Sequence, residues 1–175
     1  VGLGGRFDAT NVVSPLACAI TTIGLDHQKY LGDTLSAIAF EKAGIVKQGV
    51  PVVLGRLDDD AWRTIEQVAR ERQSPVFRLN EDFRIEGEET RQFSYHGLSA
   101  HYDGLTCSLD GRHQLDNAAC ALALLEAASS QGLTVTAEAV SRGLRTVSWA
   151  GRLEVADLHP TILLDGAHNP AAATV

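Results

Sequence analysis

The chain has no methionine, no Cys-x-x-Cys pair, no cluster of basic residues and no apolar run near the roughly 20 residues a membrane helix needs. Each absence excludes something. Lys and Arg total 15 against 22 Asp and Glu, a net charge of -7. Phosphate-backbone recognition wants clustered cations, so a nucleic-acid partner is excluded. Three cysteines, Cys18, Cys107 and Cys120, are an odd number with no metal or redox spacing. They read as small core residues in a reducing compartment. No signal-peptide pattern opens the chain, so the expectation is a soluble, cytoplasmic protein without a membrane partner. The sequence enters a Gly-rich segment at Val1 and stops at Val175 where a helix is expected to begin, so both ends read as cut.

What is present is a globular composition. With 45% of 175 residues hydrophobic, the chain can bury a core of one domain or slightly more. Cys18-Ala-Ile-Thr-Thr-Ile-Gly reads as a strand buried on both faces. Leu35, Ile38, Ala39 and Ala43 follow at helical spacing, with Asp33 or Thr34 as N-cap and an end near Gly44. Pro51-Val-Val-Leu-Gly is a second strand. A helix over 58–72 follows, with Trp62, Ile65, Val68 and Ala69 on one stripe, and Pro75-Val-Phe-Arg-Leu is a third strand. This alternation predicts an α/β fold with a mainly parallel sheet and helices on both faces.

Between Phe83 and Leu109, short alternations broken by Gly87, Gly97 and Gly104 predict antiparallel strands appended to that sheet. Helices are expected over 118–128 and 138–144, then a fresh strand at Thr161-Ile-Leu-Leu. A domain boundary is placed at 156–160, giving domains 1–156 and 157–175. No internal repeat or low-complexity tract is visible.

Several residues invite chemistry, each beside a plainer alternative. The opening Val1-Gly-Leu-Gly-Gly-Arg-Phe-Asp-Ala-Thr-Asn is neither a GxGxxG in its usual setting nor a P-loop, and a tight turn explains its glycines better than phosphate binding does. His27 follows a strand in Gly24-Leu-Asp-His, where α/β folds place ligands, with Asp26 able to orient it; a structural or exposed histidine is the commoner outcome. Lys42, hemmed by Ala39, Ala43 and Ile45, is a partly buried amine open to modification, or a snorkelling side chain paired with Glu41. Asn117 could be a helix N-cap, and His113 and Gln114 solvated loop residues. Arg152 could pair on the surface or contact phosphate. Asp165, His168 and Asn169, in Leu164-Asp-Gly-Ala-His-Asn-Pro, exceed what a turn requires.

Taken together, VGLGGRFDATN, TTIGLDHQKYLGDTLSAIAFEKAGIVK, HQLDNAA, GRLE and LDGAHNP resemble the folylpolyglutamate/dihydrofolate synthase branch of the Mur ligase family over nearly the whole chain. The first two motifs are specific to that branch; the last two are shared more widely among Mur ligases. The resemblance implies a central ATP-binding domain and the start of a Rossmann-like C-terminal domain. It implies a ligase that phosphorylates a carboxylate with ATP and lets the amine of L-glutamate attack the acyl phosphate, the acid being dihydropteroate or a folate. By the same resemblance His27 and Lys42, the latter as a carbamate, hold Mg2+, and a monovalent cation is a further possible cofactor. Asn117, Arg152 and Asp165 contact ATP with His168 on the nucleotide side, and Arg152, His27 and Lys42 carry the catalysis. Phe7, Asp8 and Ala9 contact the pteroate. The family's P-loop and a magnesium-binding Glu lie upstream of Val1, so the chain alone is expected to be inactive. The family is usually monomeric. Ala150 departs from the pattern, since relatives carry Pro before Gly-Arg. Two alternatives stay open: another Mur ligase acting on a peptidoglycan precursor, and a nucleotide-binding module without catalysis.

Overall fold

A computed structural model of the chain describes residues 3–87, 91–169 and 172–174. Val1 and Gly2 of the opening motif and Pro170 of the last lie outside the described residues. Three strands, β1 (Cys18–Ile20), β2 (Val52–Leu54) and β3 (Val76–Arg78), pair in parallel in that order, with Cys18 opposite Val52 and Val52 opposite Val76. Parallel neighbours need a crossover, and helices supply it. After a single turn, α1 (Gln28–Leu31), comes α2 (Leu35–Ala43), and α3 (Asp59–Glu71) links β2 to β3.

The two-residue period of the strands divides the core. Cys18, Ile20, Val52, Leu54 and Val76 point to α2 and α3, meeting Ile38, Ala39, Ile65 and Ala69. Ala19, Val53 and Phe77 point the other way, toward α4 (Arg112–Ser129). All three residues of β2 are fully buried, and each such side chain contributes roughly 1.5–3 kcal/mol by leaving water. The sheet therefore carries helices on both faces, as the alternation predicts.

Local signals fix the helix ends. Thr34 caps α2, its hydroxyl accepting from Ala37 N at 3.2 Å, and Gly44 closes that helix. Asp59 and Asp60 sit in the first turn of α3, where the helix dipole favours acids. Of the stripe on α3, Ile65, Val68 and Ala69 are buried, while Trp62 lies under the Arg78 guanidinium at 3.9 Å.

Two expectations are corrected. The antiparallel strands β4 (Arg84–Glu86), β5 (Gln92–His96) and β6 (His101–Thr106) form a separate three-stranded sheet rather than an extension of the parallel one. A tight reversal after β3 turns the chain away: Asn80 is left-handed at φ 71°, and Asp82 accepts from Arg78 N. This sheet packs on α4 through Phe83, Ile85, Phe93, Tyr95 and Leu105. The second correction is α4 itself, which starts at Arg112. Gly111 stands at its N-cap position, so Asn117 lies in the second turn, and His113 and Gln114 are helical, with Gln114 buried.

Glu126 of α4 ties the helix to the β5–β6 hairpin, accepting from Tyr95 Oη (2.7 Å), Ser99 N (2.8 Å) and Ala100 N (2.7 Å). Burial opposes its ionised form, but these hydrogen bonds outweigh it and hold the carboxyl below the ordinary range. Beyond α5 (Ala137–Thr146), strands β7 (Glu154–Leu158) and β8 (Thr161–Leu164) pair antiparallel, and Val155, Ile162, Leu163 and Leu164 are exposed. This hairpin straddles the boundary expected at 156–160. No described helix is long and apolar enough to cross a membrane.

Candidate functional site

Gly5 of the opening segment and Gly44 at the end of α2 serve close backbone packing against each other's segments. A Cβ at Gly44 would lie 2.5 Å from Arg6 Cα, and one at Gly5 would lie 2.8 Å from the Lys42 carbonyl oxygen. The segment is pinned to the end of α2 by Arg6 N donating to Glu41 O (3.0 Å) and by Asn11 Nδ2 donating to the carbonyls of Arg6 and Gly44. Glu41 faces Arg6 at 4.0 Å, and Arg6 lies over the Phe40 ring. Glu41 is therefore engaged, and the Lys42 amine has no hydrogen-bond or ion-pair partner among the described residues.

A cleft of about 1080 Å³ opens beyond the carboxyl ends of β1 and β2, the ligand edge of a parallel sheet. It gathers His27, Lys42, Asn117, Arg152, Asp165 and His168 from positions spread over most of the chain. Phe7, Asp8 and Ala9 do not line it. Phe7 is exposed, and Asp8 caps a short 3-10 turn at Ala9–Val12 by accepting from Thr10 N at 2.9 Å.

One wall is the loop after β1. His27 is left-handed (φ 52°, ψ 30°), and its N–H donates to Asp26 Oδ1 at 2.7 Å. The facing wall is the loop after β8. Asp165 accepts from Leu153 N (2.9 Å) and Ala167 N (2.7 Å), and these two N–H groups hold its carboxyl below the usual range, with Arg152 adding to the effect. Arg152 comes within 3.6 Å of where a Cβ on Gly166 would stand.

The walls meet at Asp26. Its Oδ2 accepts from Asn169 Nδ2 at 2.8 Å, and His168 Nε2 lies 3.5 Å from the same oxygen. The Asn169 bond, then the His27 amide and the two imidazoles, depress the Asp26 carboxyl. Single donor atoms of Asp26, His27 and His168 lie within 4.8 Å of one another, the arrangement a cation would use. The third wall is the start of α4, where Asn117 Nδ2 donates to Gln114 Oε1 at 3.2 Å.

Sequence reasoning passed over several lining residues. Arg56, in the loop after β2, forms a two-pronged contact with Asp116, Nε at 3.2 Å and Nη2 at 3.1 Å, and Trp149 lines the cleft with an exposed indole. The signal for Arg56 was available, since it follows a strand end as His27 does.

Comparison with known proteins gives the class and then the family. No family model matches the chain. A solved folylpolyglutamate synthase bound to AMPPCP and folate superposes with a TM-score of 0.95 at 35% identity, covering 99% of this chain and 44% of that one. A Mycobacterium tuberculosis folylpolyglutamate synthase complexed with ADP gives 0.90 at 35%, covering 99% of this chain and 40% of that one. The class is thus the Mur ligase α/β fold. Within it, the dihydrofolate synthase/folylpolyglutamate synthase of Bacillus subtilis is 41% identical over 173 residues, 96% of this chain and 40% of that protein. The homologues that cover the chain are folylpolyglutamate/dihydrofolate synthases, and the chain spans about two-fifths of the length of these relatives.

Proposed function

We propose that the chain forms the nucleotide-facing part of a ligase that uses ATP to add L-glutamate to a folate-type carboxylate, dihydropteroate or a folate polyglutamate, in a cytoplasmic, monomeric protein. The observation that carries this reading is the convergence of His27, Lys42, Asn117, Arg152, Asp165 and His168 on one cleft at the sheet's ligand edge. The AMPPCP, folate and ADP bound by the similar structures support the same substrate classes. In this reading the chain divides into a central domain over 1–156 and the start of a second domain over 157–175.

In this reading the γ-phosphoryl group of ATP passes to the acid's carboxylate oxygen, giving an acyl phosphate and ADP. The amine of glutamate then attacks the acyl carbon, and inorganic phosphate leaves with the C–O pair. Arg152 offsets charge on the transferring group, which matters more in a cleft than in open water. Asn117 and Asp165, with His168, orient the nucleotide, while Phe7, Asp8 and Ala9 meet the pteroate outside this cleft. His27 would hold Mg2+ together with Lys42 as a carbamate, and a bound Mg2+ would neutralise phosphate charge. The Lys42 amine, without a partner among the described residues, suits carbamate formation, in which a neutral amine adds to carbon dioxide and releases a proton. A monovalent cation could add to the same charge balance.

Calorimetric titration of AMPPCP into the protein tests this reading. Saturable binding weakened at least tenfold by Arg152→Ala or Asn117→Ala is expected; no binding, or binding indifferent to both, sinks it. Native mass measurement in bicarbonate should find one added carboxyl group on Lys42, and only an unmodified lysine in a nucleotide-binding protein counts against the carbamate.

A further inference from the structure

We propose that Asp26, His27 and His168 form a binding site for a transition-series divalent cation, Zn2+ or Mn2+, occupied in the absence of nucleotide and joining the loop after β1 to the loop after β8. The site shares His27 with the magnesium set above and adds two donors from outside it. It does not depend on the ligase reading.

The argument turns on the tautomer of His168. Its Nδ1 lies 2.7 Å from the carbonyl oxygen of Gly166. A carbonyl only accepts, so Nδ1 carries the proton and donates. In the neutral ring, Nε2 then presents a lone pair, and this lone pair lies 3.5 Å from Asp26 Oδ2. Two acceptors face each other. The arrangement is favourable only with a positive charge between them, either a proton on Nε2 or a metal ion. On the other oxygen, His27 Nδ1 stands 3.9 Å from Asp26 Oδ1. Both separations exceed a good hydrogen bond, while the donor atoms all fall within 4.8 Å of one another, so one ion could reach all three.

The supporting contacts are those that metal sites use. Asn169 Nδ2 donates to Asp26 Oδ2 at 2.8 Å, and Asn169 Oδ1 accepts from Ala172 N at 2.8 Å, so its amide orientation is fixed. The Gly166 carbonyl orients the His168 ring as an outer partner of a ligating histidine does. Two imidazoles and one carboxylate favour Zn2+ or Mn2+ over Mg2+, which prefers oxygen donors throughout.

The experiment is calorimetric titration of ZnCl2, MnCl2 and MgCl2 separately into chelator-stripped protein without nucleotide, with Mn2+ followed also by its electron paramagnetic resonance signal. One site is expected, filled by Zn2+ at least a hundredfold more tightly than by Mg2+. His168→Ala and Asp26→Asn should each weaken Zn2+ at least tenfold, while His101→Ala, at the tip of the β5–β6 hairpin, should leave it unchanged. Nitrogen-15 imidazole shifts should show His168 Nε2 without a proton once Zn2+ is bound. The proposal is overturned by Zn2+ binding that survives both substitutions, by absence of binding at 100 micromolar order of metal, or by a His168 ring that keeps both protons at saturating Zn2+. Since no nucleotide is present, these outcomes are separate from failure of the AMPPCP titration.

Discussion

Asn169 and Asp26, 143 positions apart in sequence, are joined by one hydrogen bond of 2.8 Å that spans the cleft. Asn169→Ala deletes it. The bond is partly solvated, so its loss should cost under about 1 kcal/mol of global stability. Its local effect should be larger, because β7 and β8 lean on few buried contacts. Hydrogen exchange is expected to accelerate several-fold over 150–169 and over the loop holding His27, with the exchange of β2 amides unchanged. Equal rates in both proteins would remove the bond from any role in closing the cleft.

Glu126 holds the β5–β6 hairpin through both carboxylate oxygens. Oε2 faces three donors, Ser99 N, Ser99 Oγ and Ala100 N. Glu126→Gln sets an NH2 group against one oxygen's donors, whichever way the amide turns, and should destabilise by about 1–3 kcal/mol. For a chain of this size that lowers Tm by roughly 3–10 °C. The pH dependence follows from the depressed carboxyl. The stabilising contribution is complete above the ordinary value of 4.5 and is lost as pH falls through the lower folded-state value. Thermal melts from pH 6 downward should therefore show wild type and Glu126→Gln converging; parallel curves would contradict this.

Much of this architecture was legible because local and global signals agree. Thr34, Gly44 and the apolar triplets of β1 and β2 dictate the parallel unit from sequence alone. The start of α4 was hidden, since Arg112, His113 and Gln114 are polar and Gly111 supplies no side-chain cap. The separate antiparallel sheet was hidden too: its strands alternate as an appended edge would, and only the reversal at Asn80 sets them apart. For the site, His27, Lys42, Asn117, Arg152, Asp165 and His168 were named from motifs and do share one cleft. The Asp26–Asn169 contact is a long-range fact that periodicity cannot carry, because each residue alone looks like a loop residue.

The three thiols should be inert in the native state. Burial pushes Cys18 up to about 11 and Cys120 up to about 12, and Cys107 is fully enclosed. Only the thiolate reacts, and it is scarce at pH 8 for Cys18 and Cys120, while enclosure shields Cys107 from the reagent. Iodoacetamide at pH 8 is expected to leave all three unlabelled over hours in native protein and to label all three in denaturant. Rapid native labelling of Cys18 would mean that the β1 edge opens far more readily than its packing implies.

Two glycines to alanine should move stability in opposite directions, and the reason is space rather than dihedral freedom. Gly143 lies inside α5, and a Cβ there would meet nothing within 4 Å. Alanine costs less chain entropy than glycine in a helix, so Gly143→Ala should stabilise by about 0.5–1 kcal/mol. Gly44 has ordinary right-handed backbone angles, yet a Cβ there would stand 2.5 Å from Arg6 Cα, with no flexible side chain to yield. Gly44→Ala must push the opening segment off α2, weakening the Arg6 N to Glu41 O and Asn11 to Gly44 contacts, at about 1–3 kcal/mol. It should also loosen the segment that carries Phe7, Asp8 and Ala9, so proteolysis within residues 3–13 should quicken while cleavage elsewhere holds. Urea melts of both variants decide the point: a Gly44→Ala protein as stable as wild type would show that the Gly-rich segment is not held by this close approach.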